Sequence, residues 1–214
     1  MRSRTAPLKD LEERHAAALK GIFKEWEARW RDCRECLEEV IPAMEYLWRA
    51  GAAERMGRLS YWGFSAGRRI GELDPALRIL VSGESFWEGR DGRDAKYSLQ
   101  RCYGSQAVIL RAWGRLEEAM ALHKKQEALC VELGNKSGLQ ASYGGQARIL
   151  TDWGRLEEAM ALFNKKEVLC LEVGDKDSLQ RCYGYQASIL RAWGRLEEAM
   201  ALLQEEGAAV RGTG

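Results

Sequence analysis

The chain has 214 residues, of which 46% are hydrophobic and 30% charged, and this composition indicates a soluble protein with a packed core. A formal net charge of +1 excludes a strong overall field towards nucleic acid or a membrane surface. There is no run of 18 apolar residues and no apolar segment behind the basic start. Neither a membrane span nor a secretory signal is therefore expected, and a cytoplasmic, reducing location is predicted.

The N-terminal segment, residues 1–51, lacks the repeat that characterises the rest of the chain. Its apolar residues nevertheless follow a helical spacing and predict two helices, forming either an N-terminal cap or a decayed repeat. Pro42 is expected to kink or break the second helix, and Gly51 to end it. The apolar positions are Leu11, Ala18, Ile22, Trp26, Trp30, Cys36, Leu37, Val40, Met44 and Leu47.

Cys33 and Cys36 form a single C-x-x-C pair, which raises the possibility of a zinc or redox site. A structural zinc needs four ligands, and the chain has just two histidines and no second C-x-x-C. Residues three apart on a helix share one face, so packing is the favoured interpretation. No metal and no cofactor are predicted.

Residues 52–94 contain a weakened copy of a motif that recurs later. Gly71–Leu77 matches the glycine, leucine, acidic and alanine positions of the block that starts at Gly114, at an offset of 43 residues. The segment is therefore predicted to be a degenerate repeat in which residues 55–70 pair with residues 73–87. Residues 89–94 are expected to form a longer loop.

Residues 95–206 contain close copies of a 40-residue repeat. The sequence Gly-Arg-Leu-Glu-Glu-Ala-Met-Ala-Leu begins at Gly114, Gly154 and Gly194. Residues 99–122 and 179–202 differ at two positions, 105/185 and 108/188. A short repeat that cannot bury its own apolar face must stack on its neighbours, so a solenoid is predicted.

Each repeat is predicted to contain two helices separated by a glycine turn. In the middle copy, Ser137 has the capping-box spacing to Gln140, and Asp177 occupies the same position in the next copy. Gly154 is expected to end the first helix in a left-handed conformation. Glu157 and Glu158 then lie in the first turn of the second helix, where the helix dipole favours negative charge.

The last second helix is predicted to be short. It begins near Arg195 and meets Gly207 after about twelve residues, so the last repeat is interpreted as truncated and residues 207–214 as a flexible tail. Apolar residues near this end would be incompletely covered, which suggests possible self-association through the C-terminal end. These residues are Leu190, Trp193, Leu196, Met200 and Leu203.

The repeat resembles the tetratricopeptide (TPR) family, in the longer form of about 40 residues found in kinesin-light-chain-like arrays and bacterial signalling proteins. The resemblance covers residues 52–206, closely after residue 95. It implies an all-α, right-handed solenoid of antiparallel helix pairs with about ten helices. The residues that carry it are Tyr103, Tyr143 and Tyr183; Ala107, Ala147 and Ala187; Leu110, Leu150 and Leu190; the turn glycines; and Ala119, Ala159 and Ala199.

The family resemblance also implies that the first helices line a concave, protein-binding face. On that face the sequence places five arginines against one aspartate, Asp152, so an acidic protein or peptide is the expected partner, with arginine suited to binding carboxylates. Positions 105/145/185 and 108/148/188 vary between otherwise similar copies, as expected of side chains facing a ligand or solvent. The predicted partner-binding residues are Arg101, Ser105, Val108, Arg111, Arg148, Arg181, Tyr185, Ser188 and Arg191.

No catalytic motif is found in the sequence. His123 replaces Phe163 and Leu203 at equivalent positions and is interpreted as a filler between helices. The chain is therefore predicted to be a non-catalytic adaptor or scaffold, with no nucleic-acid or membrane partner. The alternative is a structural or oligomerisation module, or the sensor part of a larger signalling assembly.

Overall fold

The computed structural model describes residues 35–38, 40–49 and 53–211. These residues form ten α-helices and contain no strand, which confirms the predicted all-α fold. The chain divides into two compact units, residues 1–86 and 87–214.

The first unit contains α1 (Glu35–Glu38), α2 (Val40–Arg49), α3 (Ala53–Ile70) and most of α4 (Leu73–Trp87). Pro42 is the third residue of α2, where a proline is tolerated because first-turn amides have no partner inside the helix. A Cβ placed on Gly67 would lie 2.7 Å from the Cβ of Ala76, so α3 and α4 pack closely, as predicted. The earlier apolar positions, 11–30, and Cys33 lie outside the described residues, as does the side chain of Cys36.

The second unit consists of three consecutive helix pairs. They are α5 (Arg93–Ala112) with α6 (Leu116–Leu133), α7 (Lys136–Asp152) with α8 (Leu156–Val173), and α9 (Lys176–Ala192) with α10 (Leu196–Arg211). Each helix packs against the next along the chain, and α5 also contacts α7. The predicted stacking of 40-residue helix pairs is therefore observed.

Small residues allow the helices to approach one another. Ala107, Ala119, Ala147 and Ala159 have no exposed surface, and Phe163 fills the core between two pairs. The turn glycines Gly114, Gly154 and Gly194 have φ values of 73–75°, a conformation that glycine adopts without steric cost. These features confirm the turns and crossings predicted from the repeat.

The helix caps differ from the sequence prediction. Asn135 and Asp175 are the N-caps, and their side-chain oxygens accept the backbone N–H of Gly138 and Ser178 at 3.1 and 3.0 Å. The predicted caps Ser137 and Asp177 lie inside the helices. The helix begins two residues earlier because an Asx side chain directly after a left-handed glycine already satisfies the first amides.

The end of α10 also differs from the prediction. The helix continues through Gly207 to Arg211, so its length of 16 residues is close to the 18 of α6 and α8. A single glycine inside a helix lowers the stability of that helix by about 1 kcal/mol relative to alanine. This loss is small enough for the helix to continue into the following Ala-Ala-Val segment.

Candidate protein-binding face

The first helices of the three pairs keep one side accessible. On each helix the side chains at intervals of three or four residues remain at least partly exposed, whereas most of those between them are buried. We call this surface the first-helix face. It comprises Arg101, Val108, Arg111, Arg148, Asp152, Arg181, Ser188 and Arg191.

An ion pair joins neighbouring first helices on this face. Arg111 of α5 donates from Nη2 to Oδ1 of Asp152 on α7 at 2.9 Å, and its Nε lies 2.7 Å from Oδ2. The pair makes the faces of α5 and α7 continuous and neutralises the aspartate. The carboxylate of Asp152 is therefore not available to neutralise the other arginines predicted on this face.

Arg148 and Arg191 have no carboxylate or hydrogen-bond acceptor within the described part of the chain. The Nε of Arg148 is buried without an acceptor, so part of its hydrogen-bonding capacity is unused. Arg181 is exposed, donates to the hydroxyl of Ser178 at 2.8 Å and lies close enough to the carboxylate of Asp175 to help lower its pKa. The face is therefore basic and has guanidinium groups available to a ligand.

Positions 105 and 145 are buried, contrary to the expectation that the variable positions 105, 145 and 185 face a ligand or solvent. Ser105 is 9% exposed, and Gly145 is buried against the ring of His123. Tyr185 is 37% exposed, but its ring stacks on Phe163 with centroids 5.2 Å apart and planes inclined by 9°. The residue at 145 or 185 thus contacts the side chain at 123 or 163 of the preceding helix.

His123 is buried between helices, as predicted. Its ring is 3% exposed, and its Nδ1 lies 3.0 Å from Oε1 of Gln126. Burial lowers the pKa of His123 to about 4, and the nearby charges of Arg148 and Arg111 act in the same direction. The histidine is therefore neutral at pH 7 and serves as packing between α6 and α7.

Glycines on the first-helix face serve helix packing at two of three positions. A Cβ on Gly104 would lie 2.5–2.8 Å from the amide of Gln126, and one on Gly144 would lie 3.2 Å from the aliphatic chain of Lys166. Gly184 has no such neighbour within 4 Å. An alanine at position 104 or 144 would therefore require the side chain of Gln126 or Lys166 to shift.

The repeated tryptophans cover the joints between helix pairs. Trp153 and Trp193 pack partly buried against the core, and the guanidinium groups of Arg155 and Arg195 lie 5.8 Å from their ring centroids.

The described residues contain no group of three or more His, Cys, Asp and Glu side chains arranged to hold a metal ion. Four cysteines in the second unit are buried free thiols: Cys102, Cys130, Cys170 and Cys182. Burial raises the pKa of Cys130 to about 11 and that of Cys182 to about 12, so neither is a reactive thiolate. No helix in the described ranges is both long enough and apolar enough to span a membrane.

No family model and no curated protein matches the chain. Among solved structures, it is similar to aspartyl phosphate phosphatase F from Bacillus subtilis, with a TM-score of 0.67 and 11% identity. The match covers 73% of this chain but just 40% of the phosphatase.

The chain is also similar to a putative kinesin light chain with nearly identical TPR-like repeats from Podosopora anserina. That match has a TM-score of 0.54 and 16% identity, and covers 85% of this chain and 98% of the other. A substituted form of the same protein matches with a TM-score of 0.55 and 16% identity, over 81% of this chain and 93% of that one. The chain therefore has the TPR-like solenoid fold predicted from its repeat.

Proposed function

We propose that the protein is a non-catalytic adaptor that binds an acidic segment of a partner protein on its first-helix face, in the cytoplasm. The observation that carries this proposal is the set of arginines on that face without carboxylate partners, above all Arg148 and Arg191. Arginine binds carboxylates through two parallel hydrogen bonds, so a stretch of Asp and Glu side chains complements the surface.

The fold supports the same proposal. Helix-pair solenoids present extended surfaces formed by equivalent helices of successive repeats, and such surfaces suit an extended or helical peptide. Val108 and Ser188 lie among the arginines on α5 and α9 and leave space between the charges. Nucleic acid is the less suitable polyanion because the net charge of the chain is only +1.

A random peptide library displayed on phage tests the proposal, because it samples acidic and non-acidic sequences alike. Selection on the full chain is expected to enrich peptides rich in Asp and Glu. The combined variant Arg181→Glu and Arg191→Glu should bind these peptides at least about tenfold more weakly and with a smaller dependence on salt.

The matched control is Lys124→Glu with Lys165→Glu, which changes the net charge equally but alters exposed residues of the second helices α6 and α8. This control should bind the selected peptides as the wild type does at equal ionic strength. Selected peptides without acidic enrichment, or equal losses in both double variants, would refute the assignment of the face.

A second candidate function is a structural or oligomerisation module of a larger signalling assembly. The observation that favours it is the exposed apolar surface of α10, where Leu196 and Met200 are 59% and 61% exposed. If copies of the chain meet through this end, the apparent mass should rise with concentration in sedimentation experiments. A constant monomer mass would exclude this form of the function.

A further inference from the structure

Two positions of the repeat become cationic together in the middle helix pair. Positions 126, 166 and 206 are Gln, Lys and Glu in the three copies, and positions 108, 148 and 188 are Val, Arg and Ser. The block of nine residues that begins at the turn glycine is, in contrast, identical in all three copies. The middle pair thus differs from its neighbours by combining Lys166 with Arg148.

Lys166 is a buried cation without a counter-charge. The residue is 7% exposed, and its ammonium makes no hydrogen bond or ion pair with the part of the chain that the structure describes. Lysine is rarely buried to this extent unless an acidic group pairs with it, because removing an ammonium from water is costly. The equivalent Gln126 is neutral and lies 3.0 Å from the ring of His123. Since glutamine fills the same place in the first pair, packing alone does not explain the charge.

The ammonium of Lys166 lies at the first-helix face. A Cβ on Gly144 would lie 3.3 Å from Nζ, and Gly144 is on the accessible side of α7. Nζ is also not among the fully enclosed polar atoms of the described residues that lack a partner. The lysine therefore buries its aliphatic chain between helices and presents its charge at the surface over Gly144.

Arg148 lies on the same face, one helical turn from Gly144. Residues four apart on a helix are neighbours, with Cβ atoms about 6 Å apart, so the guanidinium of Arg148 and the ammonium of Lys166 can reach one ligand. The Nε of Arg148 is buried and has no acceptor within the described residues. Two cationic side chains with unused N–H donors therefore come together at this place.

The nearby carboxylates do not neutralise these two cations. Asp152 of α7 pairs with Arg111 of α5, with Nε and Oδ2 2.7 Å apart. Glu167 accepts a hydrogen bond from Nε2 of Gln186 on α9 at 2.8 Å and makes no ion pair within the described ranges. An anionic ligand is therefore the group that would balance the charges.

A phosphate monoester suits this arrangement better than a carboxylate does. A phosphorylated side chain carries a charge of about −1.5 to −2 at pH 7 and so matches two cations, whereas a single carboxylate matches one. It also has three acceptor oxygens. A guanidinium binds two of them through parallel N–H groups, and an ammonium can donate to the third.

We propose that Lys166 and Arg148 form a phosphate-binding pocket on the first-helix face, and that the acidic segment bound there carries a phosphorylated side chain. The inference rests on the proposed function, because it names the chemistry of the segment that crosses this face. Since the other two pairs lack these cations, the pocket also fixes the position of the segment along the solenoid.

Three labelled peptides test the proposal by fluorescence anisotropy on the full chain. They have two glutamates on either side of a central serine, phosphoserine or glutamate. The wild type should bind the phosphoserine peptide at least about tenfold more tightly than the peptide with central glutamate. Binding of the glutamate peptide tests the proposed function by itself, because that peptide is acidic but not phosphorylated.

The variants Lys166→Gln and Arg148→Val place the residues of the first copy in the second, where those residues already fit a helix pair. Each variant should lose most of the preference for phosphoserine. The control Lys165→Gln removes the same charge from an exposed residue of α8 and should keep the preference. Circular dichroism checks that all three variants remain helical.

The outcomes separate the two proposals. If the wild type bound the phosphoserine and glutamate peptides equally, or if Lys166→Gln and Lys165→Gln kept the same preference, the pocket would be refuted while an acidic-segment adaptor would stand. If none of the peptides bound, the proposed function and the pocket would both fail. Inorganic phosphate should displace the phosphoserine peptide only at concentrations far above the dissociation constant of that peptide. Displacement near that concentration would make free phosphate the ligand and overturn the assignment to a protein segment.

Discussion

Position 145 illustrates how one residue decides whether two repeats can stack. A Cβ at Gly145 would lie 2.1 Å from Nε2 of His123, in a ring that is held between helices. Gly145→Ala is therefore expected to lower the free energy of unfolding by about 1–3 kcal/mol, although alanine is the better helix former. Urea unfolding measures the change.

The control for that substitution is Gly184→Ala. Gly184 is also inside a first helix but has no side-chain neighbour within 4 Å. The alanine should raise the free energy of unfolding by about 0.5–1 kcal/mol. Combining Gly145→Ala with His123→Ala should relieve the close contact. If Gly184→Ala lowered the free energy of unfolding as much as Gly145→Ala does, the close contact with His123 would not be the cause.

His123 makes the stability of the chain depend on pH. Its pKa is lowered to about 4 in the folded state, so the unfolded state, with a pKa near 6.5, binds the proton more readily. Stability is complete above the unfolded pKa and falls as the pH drops from 6.5 towards 4. The expected loss between neutral pH and about pH 5 is roughly 2 kcal/mol.

The variant His123→Phe, which reproduces the residue at 163, isolates this contribution. Denaturant unfolding at several pH values should show a smaller loss of stability in the variant than in the wild type over this range. Parallel pH profiles for the two proteins would show that His123 does not carry the dependence.

At the scale of the helix, the observed caps make a second set of predictions. Asn135→Ala and Asp175→Ala each remove an acceptor from the first turn of a first helix and should lower the free energy of unfolding by about 1 kcal/mol. Ser137→Ala, at the exposed residue predicted from the sequence, should change it by less than about 0.5 kcal/mol. A larger effect at Ser137 than at Asn135 would restore the sequence-based assignment.

Helix crossings tolerate added volume less well than exposed surfaces do. Ala159→Trp places a large ring at a crossing with no exposed surface, and should unfold or fray the array with a loss of about 3 kcal/mol or more. Lys165→Trp, at an exposed residue of the same helix, should have a small effect. Thermal unfolding compares the two, and equal midpoints would contradict the placement of α8.

The helices and turns could be predicted from the sequence because the same local signals recur every 40 residues. The left-handed glycines and the buried alanines were both identified in this way. The N-caps were not identified correctly, because Asn135 and Ser137 are both residue types that cap helices and lie two residues apart. The next copy has the same two candidates, Asp175 and Asp177, so comparison of the repeats does not distinguish them.

For the whole molecule, the solenoid fold followed from the repeat, whereas the exposure of the residues proposed to bind a partner followed only in part. Arg181 and Arg191 are exposed and Arg148 is partly exposed, as the family resemblance implied. Ser105 was misassigned because variation between copies was interpreted as exposure. At positions 145 and 185, the residue that varies between copies contacts residue 123 or 163 of the preceding helix. No sequence period specifies such a contact between helices.

Site-specific photo-crosslinking tests the central claim that a partner occupies the first-helix face. A photoreactive amino acid replaces Ser188 on that face, or Lys165 on the second helix α8, both exposed. An acidic peptide selected on the wild-type chain should crosslink efficiently from position 188 and only weakly from position 165. Equal crosslinking from the two positions, or crosslinking mainly from 165, would contradict the account.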